Sequence, residues 1–122
     1  MYQEKLKLDF EQLRALTGDD PEFMLEILEI IEDQSPEVLS TMKTQLELGE
    51  YKNLSATAHK YKSSINILGN LELNRLVKDI ELKSKTSDGI SDLNGLMSEF
   101  EQICGKLLYT IKGEIEALKE DE

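Results

Sequence analysis

Apolar residues recur at spacings of three and four along almost the whole chain, and no stretch alternates with the period of two that a strand needs. Leu8, Leu13 and Leu16 mark a short amphipathic piece that stops at Thr17-Gly18. Asp19-Asp20-Pro21 then supplies a cap and a first-turn proline for a helix running to about Asp33. Ser35-Pro36 has the same form and predicts a fresh start, with Ser35 as cap; that segment continues through Val38, Leu39, Met42 and Leu46 to Gly49. A further helix spans about Tyr51 to Leu68, closed by Gly69, and Asn70 caps another that reaches about Lys85 through Leu73, Leu76, Val77 and Ile80. Thr86-Ser87-Asp88-Gly89 reads as a loop.

The last helix, from about Ser91 to Leu118, is the longest. Leu93, Leu96, Met97, Phe100, Ile103, Cys104, Leu107, Leu108, Ile111, Ile115 and Leu118 fall on one face, and Cys104 among them reads as a small buried hydrophobe rather than a reactive thiol. Gly95, Gly105 and Gly113 project from the opposite side. Short connections between long amphipathic helices make neighbours antiparallel. The expected fold is all-α: an antiparallel up-and-down four-helix bundle with a short N-terminal helix, in a single domain over residues 1–122. No internal repeat and no linker interrupts the pattern.

Composition narrows the function. Fourteen Lys and Arg against twenty-five Asp and Glu leave a net charge of −11 over 122 residues. A surface that acidic repels phosphate backbones and anionic lipid, which argues against nucleic-acid and membrane partners. The one cysteine excludes an intramolecular disulfide, and one His with one Cys cannot build the usual zinc site, so no metal is expected. The opening MYQEKLKLDF lacks the apolar run of a signal peptide. No stretch approaches the ~18 apolar residues of a membrane span. A cytoplasmic protein is the expectation.

His59 is the sole histidine, and its direction follows from the helical repeat. With His59 at zero, Leu54, Ala58, Tyr61, Ile65 and Leu68 lie at about 180° to 260°, which is the buried stripe. Lys62, Ser63 and Asn66 lie beside the histidine, with Lys60 and Ile67 at the edge of the same surface. From Tyr51 to Leu71 there is no acid but there are three lysines, Lys52, Lys60 and Lys62. An exposed imidazole there could receive an anion; by geometry alone it could equally be an ordinary surface residue.

The run Ala58-His59-Lys60-Tyr61-Lys62-Ser63-Ser64-Ile65-Asn66-Ile67-Leu68-Gly69 resembles the signature of histidine-containing phosphotransfer (HPt) domains of two-component phosphorelays. That pattern places a lysine at the Lys62 position, a small residue at Ser63, Ser or Ala at Ser64 and Leu-Gly at Leu68-Gly69. Downstream, Leu73, Leu76, Ile80 and Glu81 match the next helix of the family. Upstream, the stretch from Leu13 to Asp19 followed by Pro21-Glu22-Phe23 looks like its usual opening. One departure is Ser63, where the family usually has glycine, which leaves the imidazole more open.

The resemblance implies that His59 accepts a phosphoryl group from a receiver domain's aspartyl phosphate and passes it to another receiver. Lys62 would offset charge on the phosphoryl oxygens, and Glu81 would hold the second ring nitrogen, with Ser63 and Asn66 in support. Taken without the family, Lys62 and Glu81 read sooner as a solvated lysine and a solvated glutamate at the bundle edge. The domain would be a phosphocarrier rather than a complete enzyme, with no cofactor of its own and Mg²⁺ on the partner receiver. A monomer is expected, docking receivers of response regulators or hybrid kinases.

A docking surface should accompany the histidine. The segment from Phe23 to Ile31 is apolar over about 220°, wider than one core face needs. Lys60, Ile67, Ile27 and Ile31 are the candidate docking residues, although a short N-terminal helix could cover much of that arc. A second reading is an adaptor that binds a receiver or kinase without being phosphorylated, Ser63 marking the lost activity. A hydrolase or a carboxylate-bridged metal bundle lacks its motifs: Ala56 stands where a Glu-x-x-His pair needs its glutamate.

Overall fold

The computed structural model describes residues 5–120, and among them the regular structure is helical throughout. Five α-helices follow in order: α1 (Glu11–Thr17), α2 (Pro21–Glu47), α3 (Tyr51–Ile65), α4 (Leu71–Lys83) and α5 (Leu93–Glu120). Single 3₁₀ turns, Asn66–Leu68 and Ile90–Asp92, finish α3 and lead into α5. Helix α2 packs on α3 and α5, and α4 packs on α3 and α5, so the four long helices close a ring around one core. That is the expected four-helix bundle, with α1 laid against α2 and the turn after α3.

The caps act where the sequence puts them. Asp20 accepts from the Glu22 N–H ahead of Pro21, and Asn70 Oδ1 accepts from the Leu73 N–H at 2.7 Å. Gly18 ends α1 in the left-handed conformation. The expected break at Ser35-Pro36 does not occur: α2 runs on for 27 residues with Pro36 inside it. Ser35 does not reach forward as a cap. Its hydroxyl donates backward to the Ile31 carbonyl at 2.7 Å and meets Tyr61 Oη at 2.6 Å. An interior proline costs a helix roughly 3 kcal/mol. Here Leu28 and Ile31 before it and Met42 after it are buried in the same core, which anchors both halves of the helix.

Tyr61 also meets Phe100 edge to face, with ring centroids 5.9 Å apart. Its phenol serves as donor to Ser35, whose own proton is committed to Ile31. Tyr61→Phe is expected to cost about 1 kcal/mol in a urea melt, the usual worth of one buried hydrogen bond; an unchanged midpoint would mean that the contact carries nothing.

The N-terminal piece differs from its expected form. Residues 8–10 are not helical, and Asp9 Oδ1 accepts from the Glu11 N–H instead. With only seven residues, α1 buries Leu13 and Thr17, which are one turn apart, and Leu16 turns to solvent at 61% exposure. The segment before it acts as a strap. Leu6 is buried with its N–H on Thr110 Oγ1, Asn70 Nδ2 donates to the Lys7 carbonyl, and the Asp9 N–H bonds the Leu68 carbonyl at 2.9 Å.

Leu96, Leu108 and Leu118 are half-buried, and the rest of the α5 stripe is buried as its period predicts, Cys104 included. Burial and the nearby Glu101 charge push its thiol up to about 12, which leaves no reactive thiolate near neutral pH. Gly95 and Gly113 are exposed, and a Cβ on either would meet open space.

Candidate functional site

Helix α3 splits cleanly between its two faces. Leu54, Ala58, Tyr61, Ile65 and Leu68 are at most 1% exposed, whereas the His59 side chain is 66% exposed. The apolar stripe docks on α2 and α4 and so presents the opposite face outward. Beside α3, α4 buries Leu73, Leu76, Val77 and Ile80, and the next residue, Glu81, sits at the seam between the helices. Ser55 fastens that seam, its hydroxyl donating to the Glu81 backbone carbonyl at 2.9 Å.

Glu81 is the centre of the site. Its side chain is 6% exposed, and its two oxygens divide their partners. One takes the Lys62 ammonium at 2.8 Å; the other takes His59 Nδ1 at 2.8 Å, with Lys85 Nζ 3.7 Å away. The Lys62 ammonium, and after it the His59 ring, hold the Glu81 carboxyl below its ordinary value of 4.5, against the opposing effect of burial. An ionised carboxylate only accepts hydrogen bonds, so Nδ1 must carry the proton. That tautomer puts the free lone pair on Nε2, which has no partner among the described residues and belongs to a ring open to solvent.

The lowered Glu81 pKa has a stability consequence. For a carboxylate whose folded pKa lies below its unfolded one, the stabilisation is complete above the ordinary range near 4.5 and fades as pH falls through the folded value. Urea unfolding of the wild type is therefore expected to weaken through this acid window, with Glu81→Gln showing a flatter profile there. Parallel profiles would remove the ion cluster from the stability of the fold.

Of the residues expected at the site, His59, Lys62 and Glu81 come together. Ser63 and Asn66 lie exposed along the same face but make no hydrogen bond to any of the three, and Asn66 faces Asn74 at 3.5 Å. Lys60 is exposed, and Ile67 and Ile27 are half-buried. Ile31 is a correction: at 2% exposure it belongs to the core and has no surface to offer a partner. The outward apolar positions of α2 are instead Phe23 and Ile30, at 44% and 62% exposure, in line with Ile27. Met24 and Leu28 join Ile31 inside.

The sequence reading missed the cleft of about 580 Å³ beside His59, lined by Lys52, Ser55, Ala56, Glu81, Ser84 and Lys85. Lys85 was findable from its spacing of one turn after Glu81. Ser55 and Ser84 carry no such signal, because their role depends on how α3 meets α4. No group of three or more His, Cys, Asp or Glu among the described residues is arranged to hold a metal ion, and no helix among them is long and apolar enough to cross a membrane.

The family model of the Hpt domain matches residues 26–121, which takes in α3, α4 and α5 with all of the site. The chain belongs to the Hpt domain family. It is therefore a histidine phosphotransfer domain of two-component signalling. The crystal structure of histidine-containing phosphotransfer protein B (HptB) from Pseudomonas aeruginosa PAO1 is similar, with a TM-score of 0.80 at 22% identity over 90% of this chain and 95% of that one. At that identity the likeness speaks for the shared helical fold. No curated protein sequence matches this Hpt chain.

Proposed function

We propose that this Hpt domain is a phosphorelay intermediate that takes a phosphoryl group on His59 Nε2 from the aspartyl phosphate of a receiver and passes it to another receiver. The observation that carries this reading is the pair of bonds on Glu81, which aim one ring nitrogen outward and set a lysine one turn away. The Nε2 lone pair attacks phosphorus in line, the N–P bond forms, and the acyl-phosphate P–O bond breaks with the aspartate leaving as carboxylate. The ring becomes cationic as it keeps the Nδ1 proton, and Glu81 stabilises that charge. Lys62, already beside the imidazole, faces the phosphoryl oxygens. Return to a second receiver is the same step reversed.

The chain supplies only half of an active site and so acts as a carrier rather than a complete enzyme; the receiver would bring its own Mg²⁺. The receiver would sit on the exposed apolar positions of α2 with Lys60 and Ile67 at its edge. Monomeric, cytoplasmic action fits this role. The test is to mix the protein with phosphorylated receiver domains and follow the label. Acid-labile, base-stable phosphate on this chain is the expected result. A stable complex with no transfer would replace the relay by an adaptor that binds without being phosphorylated, with Ser63 the first position to revert to glycine.

A further inference from the structure

The positive charge of this acidic chain is gathered on α3 and α4. Residues 51–85 hold seven of the fourteen Lys and Arg but only three of the twenty-five Asp and Glu. One of those acids, Glu81, is consumed by the site. The other two, Glu72 and Asp79, line the cleft between α4 and α5, beside Glu99. They are thus turned away from a second cleft, of about 570 Å³, on the α3 side of α4. This cleft is lined by Lys62, Asn66, Leu71, Asn74, Arg75 and Lys78, and no carboxylate enters it. Arg75, on the ridge between the two clefts, and Lys78 make no ion pair among the described residues, although pairs form elsewhere, as between Lys43 and Glu101 and between Lys83 and Asp92. Leu71, at the rim, is 83% exposed.

From this placement we infer that the α3–α4 cleft is a partner-selecting surface that receives an acidic segment bearing an apolar residue, carried by the receiver that engages His59. The inference rests on the relay reading for the identity of that partner. Lys62 belongs to both places, lining the cleft while bonding the same carboxylate as His59, so a receiver seated over the imidazole reaches the cleft without a second docking event. Arg75 and Lys78, which carry no ion pair among the described residues, fit carboxylates, the side-chain amides offer donors, and Leu71 is an uncovered apolar contact. A nucleic acid or an anionic membrane fits poorly. Its extended negative field would meet the acids of the other helices, whereas a short acidic segment acts within a Debye length of ~8–10 Å.

The surface differs in kind from the exposed stripe on α2. Phe23, Ile27 and Ile30 there are interleaved with Glu22, Glu26 and Glu29. The α2 stripe offers apolar area to receivers in general; the α4 cleft discriminates among them by charge, through encounter rate more than through the bound-state chemistry.

The test uses the full chain and a panel of receiver domains, from acidic to basic, phosphorylated beforehand with acetyl phosphate. Binding and label transfer are measured at several salt concentrations for the wild type and for Arg75→Glu combined with Lys78→Glu. Both positions are exposed, and the double Gln variant serves if charge reversal impairs folding. Expected are binding of acidic receivers about tenfold weaker in the variant at low salt, a flattened salt dependence, and transfer at saturating receiver within about twofold of wild type. Binding of every receiver unchanged within twofold, or no preference of the wild type for acidic receivers, would overturn the inference. Wild type that binds acidic receivers through these residues but takes no label would sink the relay reading and leave this surface standing.

Discussion

His59→Gln is expected to abolish phosphate uptake, leaving no acid-labile label on the chain after mixing with a phosphorylated receiver. An amide has no lone pair of comparable nucleophilicity, so the N–P bond cannot form at that position. The fold should not change. The side chain is 66% exposed, and surface substitutions of this kind shift stability by about ±0.5 kcal/mol. Glutamine can still reach Glu81 with its own N–H, so the helix seam keeps a contact. A urea melt that matches wild type therefore separates loss of the nucleophile from loss of the domain. Retained base-stable label on the variant would place the acceptor elsewhere and undo the reading of the site. Glu81→Gln provides the graded comparison. It keeps an acceptor for the Nδ1 proton and loses the charge that balances the phosphorylated ring, for which a slowing on the order of tenfold is expected in single-turnover transfer. A rate equal to wild type would reduce Glu81 to a structural carboxylate.

Gly69→Ala is expected to be the most damaging single substitution for stability among the turn positions. Two independent faults add at this residue. Its φ is +70°, where a Cβ costs roughly 1–2 kcal/mol. The same Cβ would stand 2.5 Å from the Asp9 carbonyl oxygen and 2.7 Å from the Asp9 Cβ, closer than atoms can approach. Something must then move, and the nearest atoms are backbone held by the Asp9 N–H bond to the Leu68 carbonyl. The strap over the α3–α4 turn would lift, weakening the buried seats of Leu6 and Leu13 with it. We expect a loss of about 3 kcal/mol or more, a large share of the ~5–15 kcal/mol that holds a typical domain together. Gly95→Ala is the contrast, since its Cβ meets open space in an exposed helical position. That change should raise stability by about 0.5–1 kcal/mol, the helix-propensity difference alone. Equal effects from the two substitutions would mean that the clash at Asp9 is relieved without cost.

The comparison of these two glycines shows what local sequence can and cannot carry. In the chain Gly69 reads as a helix stop, and Gly95 as one of three glycines on the outer side of the last helix. Only the crossing of residues 5–10 over the turn makes one indispensable and the other replaceable. Ser35-Pro36 gives the same lesson in reverse. It has the form of a helix start, and the hydroxyl turned out to point back at Ile31 because Tyr61, 26 residues away, meets it in the core. Burial of a continuous stripe outweighed the propensity of one proline.

The site divides along the same line. The exposure of His59 follows from a rotation of 100° per residue and the positions of Leu54, Ala58, Tyr61, Ile65 and Leu68, so the sequence by itself determined which way the imidazole faces. It also determined the helical bundle, the caps at Asp20 and Asn70, and the shortage of acid around the histidine. Whether Glu81 was a solvated charge or the partner of His59 was decided only by tertiary structure. Its contacts lie across the α3–α4 seam, and helical spacing says nothing about distances between helices. The same holds for Ile31 and Ile30, adjacent apolar residues of which one is buried and the other exposed. An apolar arc of about 220° has two edges, and which edge faces inward depends on where the neighbouring helices stand.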